Sequence, residues 1–316
     1  MPYLIVLLIF LLLLGSACYA GNYFFNLAVN AKTDKSRIWE LPGAPTDEEA
    51  IRAAENEKAN KDFLTQYPPE DLSITSRDKR HLRLHGMLFR QAQPSDKWAI
   101  LVHGYTSEGT NMLREARAFY AQGYNLLLPD LRGHGKSEGD YIAMGWDDHF
   151  DILAWLEEVL YLAPGAQIAL YGVSMGAATV MNVSGEPLPD NVKVIVEDCG
   201  YTNIAGIFIY QLKRLFGLPR FPLLYLADAA TRLRAGYSIL APGPVDQVAK
   251  SKTPILFIHG DKDTFVPFSM HDLVYNAAAC PKEKLVIPGA GHAAAERTDP
   301  ERYWNVVWRF VGRYIG

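Results

Sequence analysis

A serine between two glycines is the first residue whose setting indicates chemistry. Ser174 is the central residue of a G-x-S-x-G motif at residues 172–176. A serine hydroxyl attacks an acyl carbon efficiently only when a neighbouring base takes its proton and a third group orients that base. The motif therefore directs attention to a histidine and a carboxylate elsewhere in the chain.

Residues of both types follow Ser174 in the sequence. His292 ends a small-residue segment at 289–292, and Asp263 lies in a loop between the two. Asp261, two residues before Asp263, and Asp198, at the end of an earlier apolar run, are the alternative acids. A serine, a histidine and an aspartate that meet in space would carry out acyl transfer through a covalent intermediate.

Each of the three residues comes soon after an apolar run that is typical of a buried strand. The runs are residues 167–171, 254–258 and 284–288. Residues 176–181 predict a helix, so that Ser174 would occupy a sharp turn between a strand and a helix. Because active sites of open α/β sheets lie at the carboxyl ends of the strands, we expect the three side chains to meet there.

Further motifs support one family resemblance. They lie at residues 103–105, 130–137, 197–201 and 259–267. With them the chain, from about Leu72 to its C-terminus, resembles the α/β-hydrolase superfamily, and within it bacterial membrane-anchored serine hydrolases that are esterase-like or serine aminopeptidase-like. The resemblance implies an α/β fold in which helices cover both faces of a mostly parallel eight-stranded sheet.

The resemblance also implies the site residues. It assigns Ser174 as nucleophile, His292 as base and Asp263 as acid, because the acid of such proteins lies three residues before Val266. Backbone N–H groups would stabilise the oxyanion of the reaction. We expect them from Met175, directly after the serine, and from Tyr105, in the loop after the strand at 98–102. The Tyr105 side chain either lines the acyl pocket or packs the loop.

Other residues that could do chemistry favour structural roles. His103 and His259 each precede a glycine at a strand end, and His134 lies in a glycine-rich loop, so we interpret them as turn or packing residues. The remaining histidines show no spacing typical of metal ligands: His81, His85, His149 and His271. The three cysteines form no C-x-x-C motif: Cys18, Cys199 and Cys280. We expect neither a metal nor a cofactor.

Composition agrees with one catalytic domain and excludes one class of partner. The chain has 316 residues, of which 49% are hydrophobic, enough for a large core. Its formal net charge is −4, and no basic cluster is interleaved with aromatic residues. We therefore expect no nucleic-acid partner, and a small acyl compound as substrate.

The N-terminal segment predicts membrane attachment. Residues 3–20 are almost wholly apolar, and as a helix they would span roughly 27 Å, close to the thickness of a bilayer core. We predict that residues 1–22 are a transmembrane anchor of a single-pass protein. A cleaved signal, which would give a secreted protein, and a lipid anchor at Cys18 are the alternatives. Lys32 and Lys35 favour a cytoplasmic catalytic domain, but Asp34 weakens the bias, and the side stays open.

A polar linker at residues 23–71 would join the anchor to a catalytic domain at 72–316. Residues 46–49 have the sequence of a capping box that opens a helix. This helix would either dock on the domain through an apolar face or act as a stalk. The residues of that face are Ile51, Ala54, Phe63 and Leu64.

Residues 202–252 form a second insertion, with two helical patterns before the next strand. They predict a crossover helix together with either a small cap over the serine or helices that only cover the sheet. As a cap they would supply an apolar acyl pocket from four residues: Phe208, Leu212, Leu215 and Phe216.

The sequence thus predicts a membrane-anchored serine hydrolase of carboxylic esters. A serine peptidase or amidase with the same triad is the alternative, and a binding protein without catalysis is a remote one. Because the motifs begin only at His103, far from the anchor, we expect a fragment that starts near Lys32 to keep full activity on short-chain esters.

Overall fold

A computed structural model describes residues 2–36, 38 and 47–316. The described residues include eight strands. In chain order they are β1 (Glu70–Thr75), β2 (Arg83–Phe89), β3 (Lys97–Val102), β4 (Asn125–Pro129), β5 (Gln167–Val173), β6 (Val192–Asp198), β7 (Ile255–Gly260) and β8 (Lys282–Ile287).

These strands build one sheet in the order β1-β2-β4-β3-β5-β6-β7-β8. β2 is antiparallel to both of its neighbours, and all other neighbouring pairs are parallel. Ser174, Asp263 and His292 follow β5, β7 and β8, and Asp198 ends β6. Because these four strands are parallel neighbours, all four residues lie at one edge of the sheet. The predicted mostly parallel, eight-stranded α/β fold is confirmed.

Helices cover both faces of the sheet. Within the described residues they are α1 (Pro2–Ala28), α2 (Asp47–Gln66), α3 (Leu113–Ala121), α4 (Trp146–Leu162), α5 (Met175–Val183), α6 (Ile204–Phe216), α7 (Leu223–Arg234), α8 (Pro244–Val248), α9 (Ser269–Ala277), α10 (Ala295–Thr298) and α11 (Pro300–Val311).

The core has two halves, one on each face of the sheet. Successive side chains of a strand point to opposite faces, so Ile100 and Val102 of β3 belong to the cluster that contains α4, α5 and α9. Ala99 and Leu101 of the same strand belong to the cluster that contains α3 and α11. All four side chains are fully buried, which explains why the central strands read as continuous apolar runs in the sequence.

Helix α1 has an exposed half and a docked half. Its side chains from Pro2 to Ser16 are exposed, and the helix is long and apolar enough to cross a membrane. From Gly21 onward it packs on α7, and Phe25 is buried. The helix therefore continues six residues past the boundary predicted at residue 22, and its last turns belong to the folded body.

Helix α2 docks on the catalytic domain mainly through its C-terminal half, and Asn56 near its middle accepts a hydrogen bond from Arg117 of α3. Phe63 is buried and its ring lies 5.3 Å from that of Phe89 on β2, between ring centroids. Ile51 and Ala54 are exposed, so the predicted four-residue apolar face does not form as one docking surface. The helix begins at Asp47; Thr46, the first residue of the predicted capping box, lies outside the described residues.

Candidate active site

Ser174 occupies a backbone conformation that few residues other than glycine adopt. Its φ is 58° and its ψ is −115°, at the junction of β5 and α5. The flanking glycines are required by space: a Cβ on Gly172 would lie 2.2 Å from the carbonyl oxygen of Gly176, and a Cβ on Gly176 would lie 2.0 Å from that of Val102. The two glycines thus allow the sharp turn that presents the serine at the edge of the sheet.

The three predicted residues form one continuous chain of hydrogen bonds. The Ser174 Oγ lies 2.8 Å from Nε2 of His292, and Nδ1 of His292 lies 2.7 Å from Oδ2 of Asp263. If Nδ1 carries the proton that it donates to the carboxylate, Nε2 is the acceptor that the serine hydroxyl requires. In this tautomer His292 can take the proton of Ser174 during attack on an acyl carbon.

Asp263 stays ionised although it is buried. Burial alone would raise its pKa, but hydrogen bonds from His259 and His292 outweigh that effect and hold the pKa well below its ordinary value. Its other oxygen, Oδ1, accepts backbone N–H bonds from Phe265 and Val266, both at 2.8 Å. The loop after β7 therefore holds one oxygen of the carboxylate with two backbone donors, and the other oxygen faces His259 of β7 and His292.

The alternative acids are engaged elsewhere. Asp198 accepts the hydroxyl proton of Tyr303, with 2.9 Å between the oxygens, and burial raises its pKa to about 6 despite that bond. Asp261 is exposed and accepts the backbone N–H of Gly289 at 2.7 Å. Neither carboxylate forms a hydrogen bond with His292. Of the three aspartates, Asp263 is the one bonded to Nδ1 of His292.

The predicted oxyanion donors flank the serine. Met175 is the first residue of α5, and the first N–H groups of a helix have no acceptor within it. The loop after β3 lies against the serine, since a Cβ on Gly104 would approach that of Ser174 to 3.4 Å. The next residue, Tyr105, lines the same cavities as Ser174. Its hydroxyl donates to the carbonyl oxygen of Ala28, at the end of α1.

An apolar pocket opens on one side of Ser174. It is partly open to solvent, and its walls come mainly from α1, α6 and α7. The four residues predicted for an acyl pocket all line it: Phe208, Leu212, Leu215 and Phe216. The first two helices of the 202–252 segment therefore line the pocket beside the serine.

A polar cavity opens on the other side of the serine. Its lining includes Arg114 and Glu296, which form an ion pair at 2.8 Å, and also Asp198 and His292. Ser174 thus lies where an apolar and a polar cavity meet. A substrate with one apolar and one polar end would place the bond between them next to the serine hydroxyl.

One group of side chains in the described part of the chain could hold a metal ion. Atoms of Cys199, Asp263 and His292 that could serve as ligands lie within 4.8 Å of one another. Two of the three are the histidine and the acid of the hydrogen-bond chain, so a bound metal would compete with the proton transfer. Burial also raises the pKa of the Cys199 thiol, which disfavours the thiolate that metals bind.

Two features of the site were missed by reasoning from the sequence. His259 was interpreted as a turn or packing residue, yet its Nε2 donates to the carbonyl oxygen of Val266 at 3.0 Å and lies 3.3 Å from Oδ2 of Asp263. Its position four residues before the acid was the available signal. The second feature is the pocket wall on α1, formed by Phe24, Leu27 and Ala28. The apolar residues that continue past residue 20 were its signal.

Comparison with known proteins agrees with this geometry. Residues 99–306 match the model of the alpha/beta hydrolase family, and this span contains the serine, the acid and the histidine. The chain belongs to the alpha/beta hydrolase family. An uncharacterized protein of Bacillus subtilis, YqkD, is 29% identical over 217 residues, which cover 67% of this chain and 70% of that protein. Protein bem46 of Schizosaccharomyces pombe is 25% identical over 234 residues, 73% of this chain and 72% of that protein.

Solved structures of hydrolases share the fold. The Pyrococcus furiosus esterase Pf2001 superposes with a TM-score of 0.66 at 25% identity and covers 81% of this chain and 94% of its own. The Pyrococcus horikoshii acylaminoacyl peptidase has a TM-score of 0.60 at 18% identity and covers 81% of this chain and 43% of its own. The neighbours thus include an esterase and a peptidase, and both share the fold of this chain.

Proposed function

We propose that this hydrolase is a membrane-anchored serine esterase in which Ser174, His292 and Asp263 act as the catalytic triad. The carrying observation is the hydrogen-bond chain from the Ser174 hydroxyl to the Asp263 carboxylate, with 2.8 Å and 2.7 Å between the bonded atoms. The strained backbone conformation of Ser174 supports the proposal. Such strain persists only where the surrounding structure enforces it, and it is concentrated at active sites.

The mechanism has two halves that use the same groups. Ser174 Oγ attacks the acyl carbon while His292 Nε2 takes the hydroxyl proton, and Asp263 stabilises the imidazolium that forms. The N–H groups of Tyr105 and Met175 stabilise the negative oxygen of the tetrahedral intermediate. His292 then gives its proton to the leaving alcohol. Water repeats the sequence on the acyl-enzyme and releases the acid.

The cavities favour esters over peptides. The acyl side of Ser174 is almost entirely apolar: among its described lining residues only Ser174, Gln211, Tyr105 and Tyr201 carry a polar group in the side chain. A peptide chain would bring amide groups that lack partners on such a surface, and burying an unpaired amide costs roughly 1–3 kcal/mol. An apolar acyl chain carries no such cost.

Membrane attachment is part of the proposal and is supported by α1. The exposed side chains of its first half are apolar without interruption from Tyr3 to Leu14. An apolar run of this length would be a large exposed patch in water, and such patches mark membrane or protein contacts. We expect the full chain to sediment with membranes and to resist extraction by high salt.

The test of catalysis is Ser174→Ala in the full chain, assayed in membranes. It should lower the hydrolysis of p-nitrophenyl esters by at least about 10³-fold and abolish labelling by a fluorophosphonate, because triad removal has effects of this size. Ser184→Ala is the matched control: Ser184 lies at the end of the same helix, and its hydroxyl bonds only to the Met181 carbonyl oxygen.

Two outcomes would change the proposal. Full ester turnover in a folded Ser174→Ala protein would exclude the mechanism. A rate on aminoacyl anilides far above that on p-nitrophenyl esters would make the enzyme a peptidase with the same triad.

A further inference from the structure

The docked half of α1 is built into the catalytic domain. Gly21 allows the close approach, because a Cβ at this position would lie 2.6 Å from the carbonyl oxygen of Leu226 on α7. Phe25 is buried with the guanidinium of Arg234 4.1 Å from its ring centroid. The Tyr105 hydroxyl bonds to Ala28, so the end of α1 also supports the loop that holds an oxyanion donor.

This half of α1 forms one wall of the apolar pocket beside Ser174. Phe24, Leu27 and Ala28 line the pocket, opposite residues of α6 such as Phe208. The wall that the acyl group of a substrate would contact is therefore the direct continuation of the membrane-spanning helix. No linker separates the two.

The positions of exposed tyrosines indicate where the membrane ends along α1. Tyr3 and Tyr19 are 89% and 74% exposed, and they are separated by about 24 Å of helix. Tyrosines concentrate at the two surfaces of a bilayer, whose apolar core is about 30 Å thick. The pocket wall begins at Phe24, only about 7.5 Å of helix beyond Tyr19.

The end of α6 and the loop that follows it add a second exposed apolar surface beside the α1 wall. Phe216 contacts Phe24 with 5.9 Å between ring centroids, and it lines the pocket while remaining 37% exposed. Leu218 and Phe221 follow at 39% and 72% exposure. Aromatic and aliphatic side chains of this kind insert readily into the interface of a bilayer. The pocket therefore reaches the protein surface where the protein meets the membrane.

We propose that the substrates are fatty-acyl esters of the bilayer itself, whose acyl chain enters the pocket along α1 without passing through water. The polar end of such a lipid would occupy the polar cavity beside Arg114 and Glu296, and the ester bond would lie at Ser174 between the two. This inference rests on the proposed esterase function. It also replaces the expectation that anchor and catalysis are separable, since a fragment from Lys32 would lack the α1 wall.

The test uses substitutions in α1 that fill part of the pocket. The variants are made in the full chain and reconstituted in phosphatidylcholine vesicles. Leu27→Trp should lower kcat/KM for p-nitrophenyl palmitate by about tenfold or more and change that for p-nitrophenyl acetate by less than about threefold, because only the long chain needs the filled space. Leu11→Trp, in the exposed half of the same helix, is the matched control and should change neither rate.

The outcomes separate this inference from the function on which it rests. Equal rates for Leu27→Trp and the unmodified chain on the palmitate would overturn the α1 entry route while leaving the esterase intact. Absence of fluorophosphonate labelling at Ser174 in the unmodified chain would instead overturn the function. If Leu27→Trp itself is not labelled, the smaller Leu27→Phe change takes its place, with the same selective loss on palmitate expected.

Discussion

Buried acidic residues lie at the carboxyl ends of both β6 and β7. Those at the end of β6 bind a proton more tightly than the one after β7. At the end of β6, burial raises the pKa of Glu197 to about 8 and that of Asp198 to about 6. After β7, the Asp263 side chain is just as inaccessible to water, yet its pKa lies well below the ordinary value. The two ends are neighbours in the sheet, so their general surroundings are similar.

The number of hydrogen-bond donors explains the difference. Asp263 receives two backbone N–H groups on one oxygen and faces two histidines with the other. Asp198 receives one hydroxyl, from Tyr303, and its Oδ1 has no hydrogen-bond partner among the described residues. Burial alone therefore does not decide whether a carboxyl at this edge is charged. The loop after β7, together with His259 and His292, provides the donors that the end of β6 lacks.

The largest effect expected from this comparison is that of Asp263→Asn. It should lower kcat for ester hydrolysis by about 10³–10⁴-fold, because an amide cannot hold His292 in the tautomer that accepts the serine proton. Steady-state rates on p-nitrophenyl esters in membranes would measure it, with thermal unfolding to show that the variant is folded.

Asp198→Asn is the matched control for that experiment. It removes a neighbouring buried carboxyl that contacts Tyr303 and not His292, so its loss of kcat should stay within about tenfold. A larger loss at Asp198 than at Asp263 would move the functional acid to β6 and contradict the comparison.

His259 offers a smaller effect at the same carboxylate. Its Nε2 lies 3.3 Å from Oδ2 of Asp263, the oxygen that also receives His292. Burial alone would lower the pKa of His259, but Asp263 outweighs it and raises the pKa above the ordinary value. We therefore expect His259 to act as a positioning residue through its contact with Asp263.

We expect His259→Phe to lower kcat by about 10–100-fold, which is the usual loss when the supporting partner of a site residue is removed. His259→Gln keeps a donor near Nε2 and should restore most of the rate. A rate in His259→Gln no higher than that in His259→Phe would reduce this residue to packing.

The residues of the candidate site could be predicted because their signals are local. Ser174 lies between glycines that the turn requires, and Asp263 and His292 each follow an apolar strand pattern within a few residues. Parallel strands then bring such loops to one edge whatever the details of packing. The same logic predicted the sheet.

The α1 wall could not be predicted in the same way. Its formation depends on contacts between residues about 200 positions apart, such as Phe24 with Phe216 and Gly21 with Leu226. An apolar helix that spans a membrane and one that packs on a protein have the same composition, so the sequence does not show where the first ends and the second begins. Ile51 of α2 shows the opposite error. The sequence predicted that it belongs to an apolar face, but it is exposed in the described structure.

The smallest expected effect on activity belongs to Glu197→Gln, and it tests the β6 side of the comparison. Glu197 is fully buried, and its Oε2 accepts the N–H of Gly200 at 3.0 Å, a bond that an amide oxygen can also accept. Because its side chain bonds to Gly200 and not to Ser174 or His292, we expect kcat to change by less than about twofold in either direction. Its consequence should appear in stability instead.

That consequence has a defined sign. Burial raises the pKa of Glu197 from 4.5 to about 8, so between these pH values the folded state keeps a proton that the unfolded state has lost. The favourable contribution to folding is complete below pH 4.5 and is lost as the pH rises toward 8. An amide side chain does not titrate, and the free energy of unfolding of Glu197→Gln should therefore gain on that of the unmodified chain by up to about 1.4 kcal/mol for each pH unit in this window. Thermal unfolding of both proteins at about pH 5 and about pH 8 measures the change. If the difference in free energy of unfolding between Glu197→Gln and the unmodified chain stays constant or becomes smaller as the pH rises, Glu197 is ionised in the folded protein. The contrast between the two strand ends would then rest on Asp198 alone.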